Sequence, residues 1–191
     1  MRTLRPALSL LALFTLVCGV VYPLAVTAAA RLAWPRQAAG SVVRVDGRAV
    51  GSTLVGQAFT DPGYLWGRPS ATGYDAHTSS GTNLGPRDPR LVAALTERAA
   101  ALAATAPGRP VPIELITASA SGLDPHVSPA AARFQIARIA AARGVTPAEV
   151  AAIVDAAVEP PTLGVLGASR VNVLAVNLAL DRRLGRPRAV Q

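Results

Sequence analysis

From Ala7 to Ala30 the chain runs 24 residues without a charge, with Arg5 before it and Arg31 after it. Wound as a helix this run extends about 36 Å at ~1.5 Å per residue, enough to cross the hydrocarbon core of a bilayer. Eleven of its residues are Leu, Val or Phe, which together favour insertion by roughly 3 to 7 kcal/mol. Ala28, Ala29 and Ala30 imitate a signal-cleavage site, but the apolar core of a signal peptide is only about 7 to 15 residues long, so length favours an uncleaved anchor. Tyr22 and Trp34 suit the two interfacial zones, and Pro23 should kink or loosen the helix. Gly19, Ala25 and Ala28 are small enough to let a partner helix approach closely. Cys18 follows Val17 where a lipoprotein would carry a small residue, so it reads as a lipid-facing or helix-packing side chain. Positive charge is nearly balanced, with the Met1 amine, Arg2 and Arg5 on one side and Arg31, Arg36 and Arg44 on the other. The short tail of residues 1–6 then sets the expectation: N-terminus in the cytoplasm, the rest of the chain exported.

Residues 1–35 therefore form a tail and a transmembrane helix, and 36–191 one soluble α/β (α+β) domain with a polar C-terminal tail. All 19 basic residues are arginine, which with 11 acids gives a net charge of +8. Without lysine there is no Walker A ammonium, no Schiff base and no SxxK pair. With one cysteine there is no internal disulfide, CxxC pair or multi-cysteine metal site. The arginines are scattered and lack interleaved aromatics. The densest group, Arg182, Arg183, Arg186 and Arg188, suits a helix C-terminus better than a nucleic-acid contact, so no nucleic-acid partner is expected.

Within the domain, Val43, Val45 and Val50 alternate around Asp46-Gly47, the signature of a hairpin with a type I′ turn. A Gly-, Pro- and Ser-rich stretch follows, holding Tyr64, Trp66 and Tyr74, longer than ordinary connections and of the kind that serves function or an interface. Asp88 and Pro89 begin a helix with Leu91, Leu95, Ala99 and Leu102 on one face, running to Ala104. Ile113–Thr117 suits a short buried strand. Ser128 and Pro129 begin a second helix, with Ala132, Ile136 and Ile139 inward and its end at Gly144. Thr146, Pro147 and Glu149 open a third with a capping box. Ser169 can cap a last helix carrying Val171, Leu174 and Leu178, although the VNV at its start also suits a strand.

Two segments repeat acid, imidazole and hydroxyl at a spacing of two: Asp75, His77 and Ser79, then Asp124, His126 and Ser128. The pattern suits an Asp-oriented His activating a Ser, as in a membrane-anchored extracytoplasmic hydrolase using His77 or His126. It also suits two halves of a carboxylate-imidazole metal site. Turns and caps use the same residues: Asp124 for an Asx-turn before Pro125, Ser128 for a helix N-cap, His126 for a loop hydrogen bond.

The strings GQAF, YLWGRPSATGYDAHTSSGTNLGP, ITASASGLDPHVSPAAARFQIARIAAARG and RVNVLAVNLAL closely resemble the small C subunit, KdpC, of the Kdp potassium-transporting P-type ATPase. The resemblance covers nearly the whole chain, including the single span. It implies an accessory, non-enzymatic subunit in a bacterial inner membrane, in contact with lipid, a channel-like potassium-binding subunit and an ATP-hydrolysing P-type subunit. It further implies a role in assembly, and a proposed role as a catalytic chaperone raising the pump subunit's ATP affinity. No cofactor or metal is expected for the chain alone; ATP enters only with the pump subunit. The matched positions, read as interaction or structural residues rather than catalytic ones, are Ser79, Ser80, Gly81, Asn83, Ser121, Gly122, Asp124, His126, Ser128 and Asn172. Where the family tends to have glycine this chain has Ala120, so a positive φ is not expected there.

Overall fold

The computed structural model describes residues 3–187, and its two compact units divide after Val50. In the first, α1 (Leu4–Leu16), a π-helical turn (Val17–Val21) and α2 (Tyr22–Ala33) join into one apolar helix, long enough to cross a membrane and with no buried side chain. Pro23 accounts for the π turn. A proline has no N–H to donate, and its ring collides with the carbonyl four residues back, here that of Gly19. Widening the preceding turn relieves the crowding, and the Tyr22 N–H reaches back to the Val17 carbonyl. The loosening expected near Pro23 takes this form.

After a short α3 (Pro35–Ala38), β1 (Val42–Val45) and β2 (Arg48–Ser52) form a two-stranded sheet whose second strand crosses the division between the units. Asp46 and Gly47 both have positive φ, 50° and 76°, as the central residues of a type I′ turn require.

In the second unit no helix or strand occurs from 53 to 88. Then come α4 (Pro89–Thr105), a 3₁₀ turn (Ile113–Leu115), β3 (His126–Val127), α5 (Pro129–Phe134), α6 (Ile136–Arg143), α7 (Pro147–Ala156), β4 (Val158–Glu159), β5 (Arg170–Asn172) and α8 (Val173–Leu184). β5 is the central strand of a small antiparallel sheet in the order β3-β5-β4, with His126 opposite Asn172 and Val171 between Val127 and Val158. The core gathers Val127 and Val171 from the sheet with Ala131, Ile139, Val150, Val154, Val176 and Leu180 from the helices, all essentially solvent-free. Leu65 from the long loop joins them. Local chemistry sets the helix ends. The Asp88 carboxylate accepts from the Arg90 N–H, Thr146 and Glu149 complete a capping box, and Gly144 closes α6 in the left-handed conformation.

Three expectations need correction. Ile113–Thr117 is not a strand: Pro110 and Pro112 remove ladder donors, and only Leu115 turns inward while Ile113 is 66% exposed. The segment closes instead as a 3₁₀ turn, with Leu115 N–H bonded to the Pro112 carbonyl. The helix from Ser128 to Gly144 breaks at Gln135, whose backbone sits at φ −86° and ψ −9°, because its side chain is committed to the long loop. The last helix is capped by Asn172, not Ser169. Val171 buries its side chain in the sheet between two strands, so the VNV segment starts as strand and turns helical only after Asn172.

Candidate functional site

The long loop that follows the hairpin is ordered by side chains from distant helices. Asn177 on α8 pairs with Leu65 in both directions: its Oδ1 accepts from the Leu65 N–H at 2.7 Å and its Nδ2 donates to the Leu65 carbonyl at 3.0 Å. Gln135 does the same for Trp66, accepting at 2.9 Å and donating at 3.1 Å. A primary amide has the donor-acceptor pattern of a peptide, so each side chain acts as one residue of a neighbouring strand. The two adjacent backbone residues thus enter the interior with their polar groups paired. Arg138 lies 3.6 Å above the Trp66 ring and donates to the Pro62 and Tyr64 carbonyls. Burial pushes its pKa down to about 10, still a cation at neutral pH. Arg143, 2% exposed, donates to the Gly63 carbonyl and to Asp181 at 2.9 Å.

A second segment, Thr117–Ser128, knots into the same loop. The Gly56 N–H donates to the Leu123 carbonyl, the Ser119 N–H to Pro69, and the Ser70 hydroxyl to Gly122. Gly122 has φ 69°, and a Cβ there would lie 2.7 Å from Thr72 Oγ1 and 2.8 Å from the Ser80 carbonyl, so both conformation and space require glycine. Tyr74 packs against Gly56 and Gly67, where added methyl groups would strike its ring and hydroxyl, and its hydroxyl donates to the Arg68 carbonyl. Burial raises the Tyr74 pKa, and the nearby Asp124 carboxylate adds to the rise. Arg68 reaches Asp124 at 3.4 Å and the Ala118 carbonyl at 3.3 Å, while its Nε is buried without a hydrogen-bond partner.

The two acid-imidazole-hydroxyl segments differ in setting. In the first, Asp75 accepts from the His77 backbone and faces its Nδ1 at 3.0 Å on an exposed surface. Those bonds hold the Asp75 carboxyl below its usual value. Ser79 donates to the Ser121 carbonyl. In the second, Asp124 Oδ1 accepts from the His126 N–H, an Asx-turn around Pro125. Ser128 is committed twice, donating to Glu114 Oε1 and accepting from the Ala131 N–H at 3.2 Å. His126 is on β3 rather than in a loop, with Nε2 3.3 Å from Asn172 Nδ2. Among the described residues neither imidazole bonds a serine hydroxyl, and no group of three or more His, Cys, Asp or Glu is placed to share a metal.

The other singled-out residues scatter around this knot. Ser80 donates to Gly81, Ser121 accepts from the Leu123 N–H, and a Cβ at Gly81 would press on the Ala120 backbone at 3.1 Å. Asn83 is exposed with φ 52°. Ala120 is not among the positive-φ residues. Gly19, Ala25 and Ala28 stay exposed on the apolar helix, with nothing within 4 Å of a Cβ on Gly19. Arg2 and Arg188 lie outside the described residues. Sequence reasoning missed Gln135, Asn177 and Glu114. The available signal was an uncharged amide on the apolar face of each of two helices.

The described residues thus combine an apolar helix long enough to cross a membrane with a small mixed α+β unit whose loops are knotted by internal bonds. Residues 4–182 match the family of the K+-transporting ATPase c chain, KdpC, and the chain belongs to that family. It is 57% identical over 183 residues to the potassium-transporting ATPase KdpC subunit of Polaromonas naphthalenivorans (strain CJ2), covering 93% of each chain. Proteins of the same name from Caulobacter vibrioides (strain NA1000 / CB15N) and Sorangium cellulosum (strain So ce56) are each 55% identical over 183 residues. Membership of that family gives the chain an accessory role in potassium transport.

Proposed function

We propose that this subunit is non-catalytic and works through binding energy, holding together the channel-like potassium-binding subunit and the ATP-hydrolysing P-type subunit of an import complex. Its apolar helix anchors it in a bacterial inner membrane with the N-terminus cytoplasmic, and the domain from residue 36 onward is periplasmic. The supporting observation is the destination of the chemistry-bearing side chains: Asp124 holds a turn, Ser128 is committed to Glu114 and a helix cap, and His126 to Asn172. A knot of this kind presents a fixed surface to partners, and among the described residues the imidazoles bond Asp75 and Asn172 rather than a serine hydroxyl.

ATP is cytosolic, so an exported domain acts on the pump's nucleotide only indirectly, by preferring one conformation of its partner. Raised ATP affinity, the catalytic-chaperone role, then follows from linkage, with no nucleotide contact of its own. Reporter fusions to the C-terminus and copurification from native membranes test the reading. A periplasmic reporter and recovery of both partner subunits are expected. A cytoplasmic C-terminus, or hydrolysis of ATP or an ester by the purified chain that is lost in His77→Ala or His126→Ala, would overturn it.

A further inference from the structure

We infer that the pocket between α4 and the long loop binds a small organic carboxylate, a monoanion with an apolar body. α4 runs for 17 residues and buries none of them. One helical face, Arg98, Ala101, Leu102 and Thr105, lines a cavity of about 430 Å³ instead of packing on the core. Folded interiors leave few voids larger than one water, so imperfect packing does not account for this space. The volume falls within the ~300–1,000 Å³ of small-molecule sites. At roughly 30 Å³ for each water-sized group, it holds on the order of ten to fifteen non-hydrogen atoms.

The lining sets the chemistry of the ligand. Phe59, Trp66, Leu102 and Leu115 offer apolar surface. The walls are fixed in advance: the Trp66 indole donates to the Asp61 carbonyl at 3.0 Å and stacks with Arg138 at 3.6 Å, and the Tyr74 hydroxyl is tied to the Arg68 carbonyl. Among the described residues the charged groups of the lining are Arg68 and Arg98, with no acid. Arg98 donates to the Ile116 carbonyl at 3.0 Å and Arg68 to the Ala118 carbonyl at 3.3 Å. Both guanidinium groups are therefore anchored on backbone positions no more than about 7 Å apart. Each keeps donors to spare. Arg98 makes that one bond among the described residues, and Arg68 adds only a 3.4 Å contact with Asp124 while its Nε has no partner. Two cations against one acid leave a single positive charge, which one carboxylate balances through charge-assisted bonds. A polyphosphate brings more charge than that, and a neutral apolar ligand would leave the guanidinium pair unanswered.

The site does not depend on the assembly role proposed above, and binding alone tests it. The probe is 3-(4-fluorophenyl)propionate, with its uncharged amide as counterpart, followed by fluorine NMR against the full chain in detergent. Saturable line broadening is expected at about 0.1–1 mM, the range open to a molecule of this size. Unlabelled 3-phenylpropionate should reverse it, and the amide should bind on the order of tenfold more weakly. Arg98→Gln should weaken binding of the acid on the order of tenfold. Ala101→Phe, which fills the cavity from an exposed position on α4, should abolish it without lowering the unfolding midpoint. Broadening that grows without saturation, equals that of the amide, or survives Ala101→Phe reflects partition into detergent and overturns the inference. So does saturable binding by the isolated chain that is lost in the assembled complex, which would mean that a partner's acidic segment fills the pocket.

Discussion

Asn172 fixes the protonation of His126. Its Oδ1 caps α8 by accepting from the Ala175 N–H at 3.0 Å, so the amide orientation is set, and Nδ2 is left to donate to the Thr53 carbonyl and towards His126 Nε2. An Nε2 that accepts a bond carries no proton, and the imidazole is neutral. Burial, helped by the Arg170 charge and opposed by Glu159 and Asp124, lowers the His126 pKa from its ordinary 6.5. A base with a lowered folded-state pKa binds protons more readily when unfolded, so this group weakens the fold as pH falls below 6.5 and stops doing so once pH is under the folded value. Unfolding of the full chain in detergent, followed against pH, should show that loss, and His126→Asn should flatten it. The amides of Gln135 and Asn177 make a second prediction at this scale. Replacing either with Leu strands a buried N–H and C=O of the loop, a cost of about 1–3 kcal/mol for each unpaired group. Chemical denaturation should report the loss, and limited proteolysis should show faster cleavage between 66 and 88.

Among the elements, much of what neighbours in sequence decide was legible in the sequence, although the Asn172 cap of α8 was not. The Asp46-Gly47 turn, the Asp88 cap, the Thr146–Glu149 capping box and the glycine stop at 144 each depend on groups within about four residues. The break at Gln135 was not legible, since its cause is Trp66, 69 residues earlier. Nor was the 3₁₀ turn at Ile113–Leu115, where an apolar run suggested strand while two prolines and the Glu114–Ser128 contact decided otherwise. The two Asp-x-His-x-Ser segments were legible as motifs but not as environments, because their spacing is the same while one is exposed and the other is bonded into β3 and the start of α5. Gly122 tests the knot as an element. Gly122→Ala adds left-handed strain and a collision with Thr72 and Ser80, and should cost about 2–5 kcal/mol in unfolding free energy. By contrast, Gly144→Ala, also left-handed at φ 68° but with open space around its Cβ, carries the strain alone and should cost clearly less in the same assay.

For the whole molecule, the apolar helix Leu4–Ala33 and the knotted domain have separable tasks in the proposed complex. Exchanging the helix for an unrelated apolar span removes Gly19, Ala25 and Ala28 from any helix contact. Recovery of partner subunits should then drop although the domain still folds. Asp124→Ala loosens the knot where Arg68 and the His126 turn meet, and should weaken assembly more than substitution of an exposed arginine such as Arg87. The central claim is that this subunit acts by stabilising an assembled pump. The most direct measurement is the yield of native complex together with the apparent ATP affinity of its hydrolysing subunit, with this chain present, deleted, or carrying Asp124→Ala. Assembly as the primary role predicts that yield and potassium-dependent ATPase activity fall together on deletion, with intermediate loss for Asp124→Ala. Full yield and unchanged ATP affinity without the chain would contradict it.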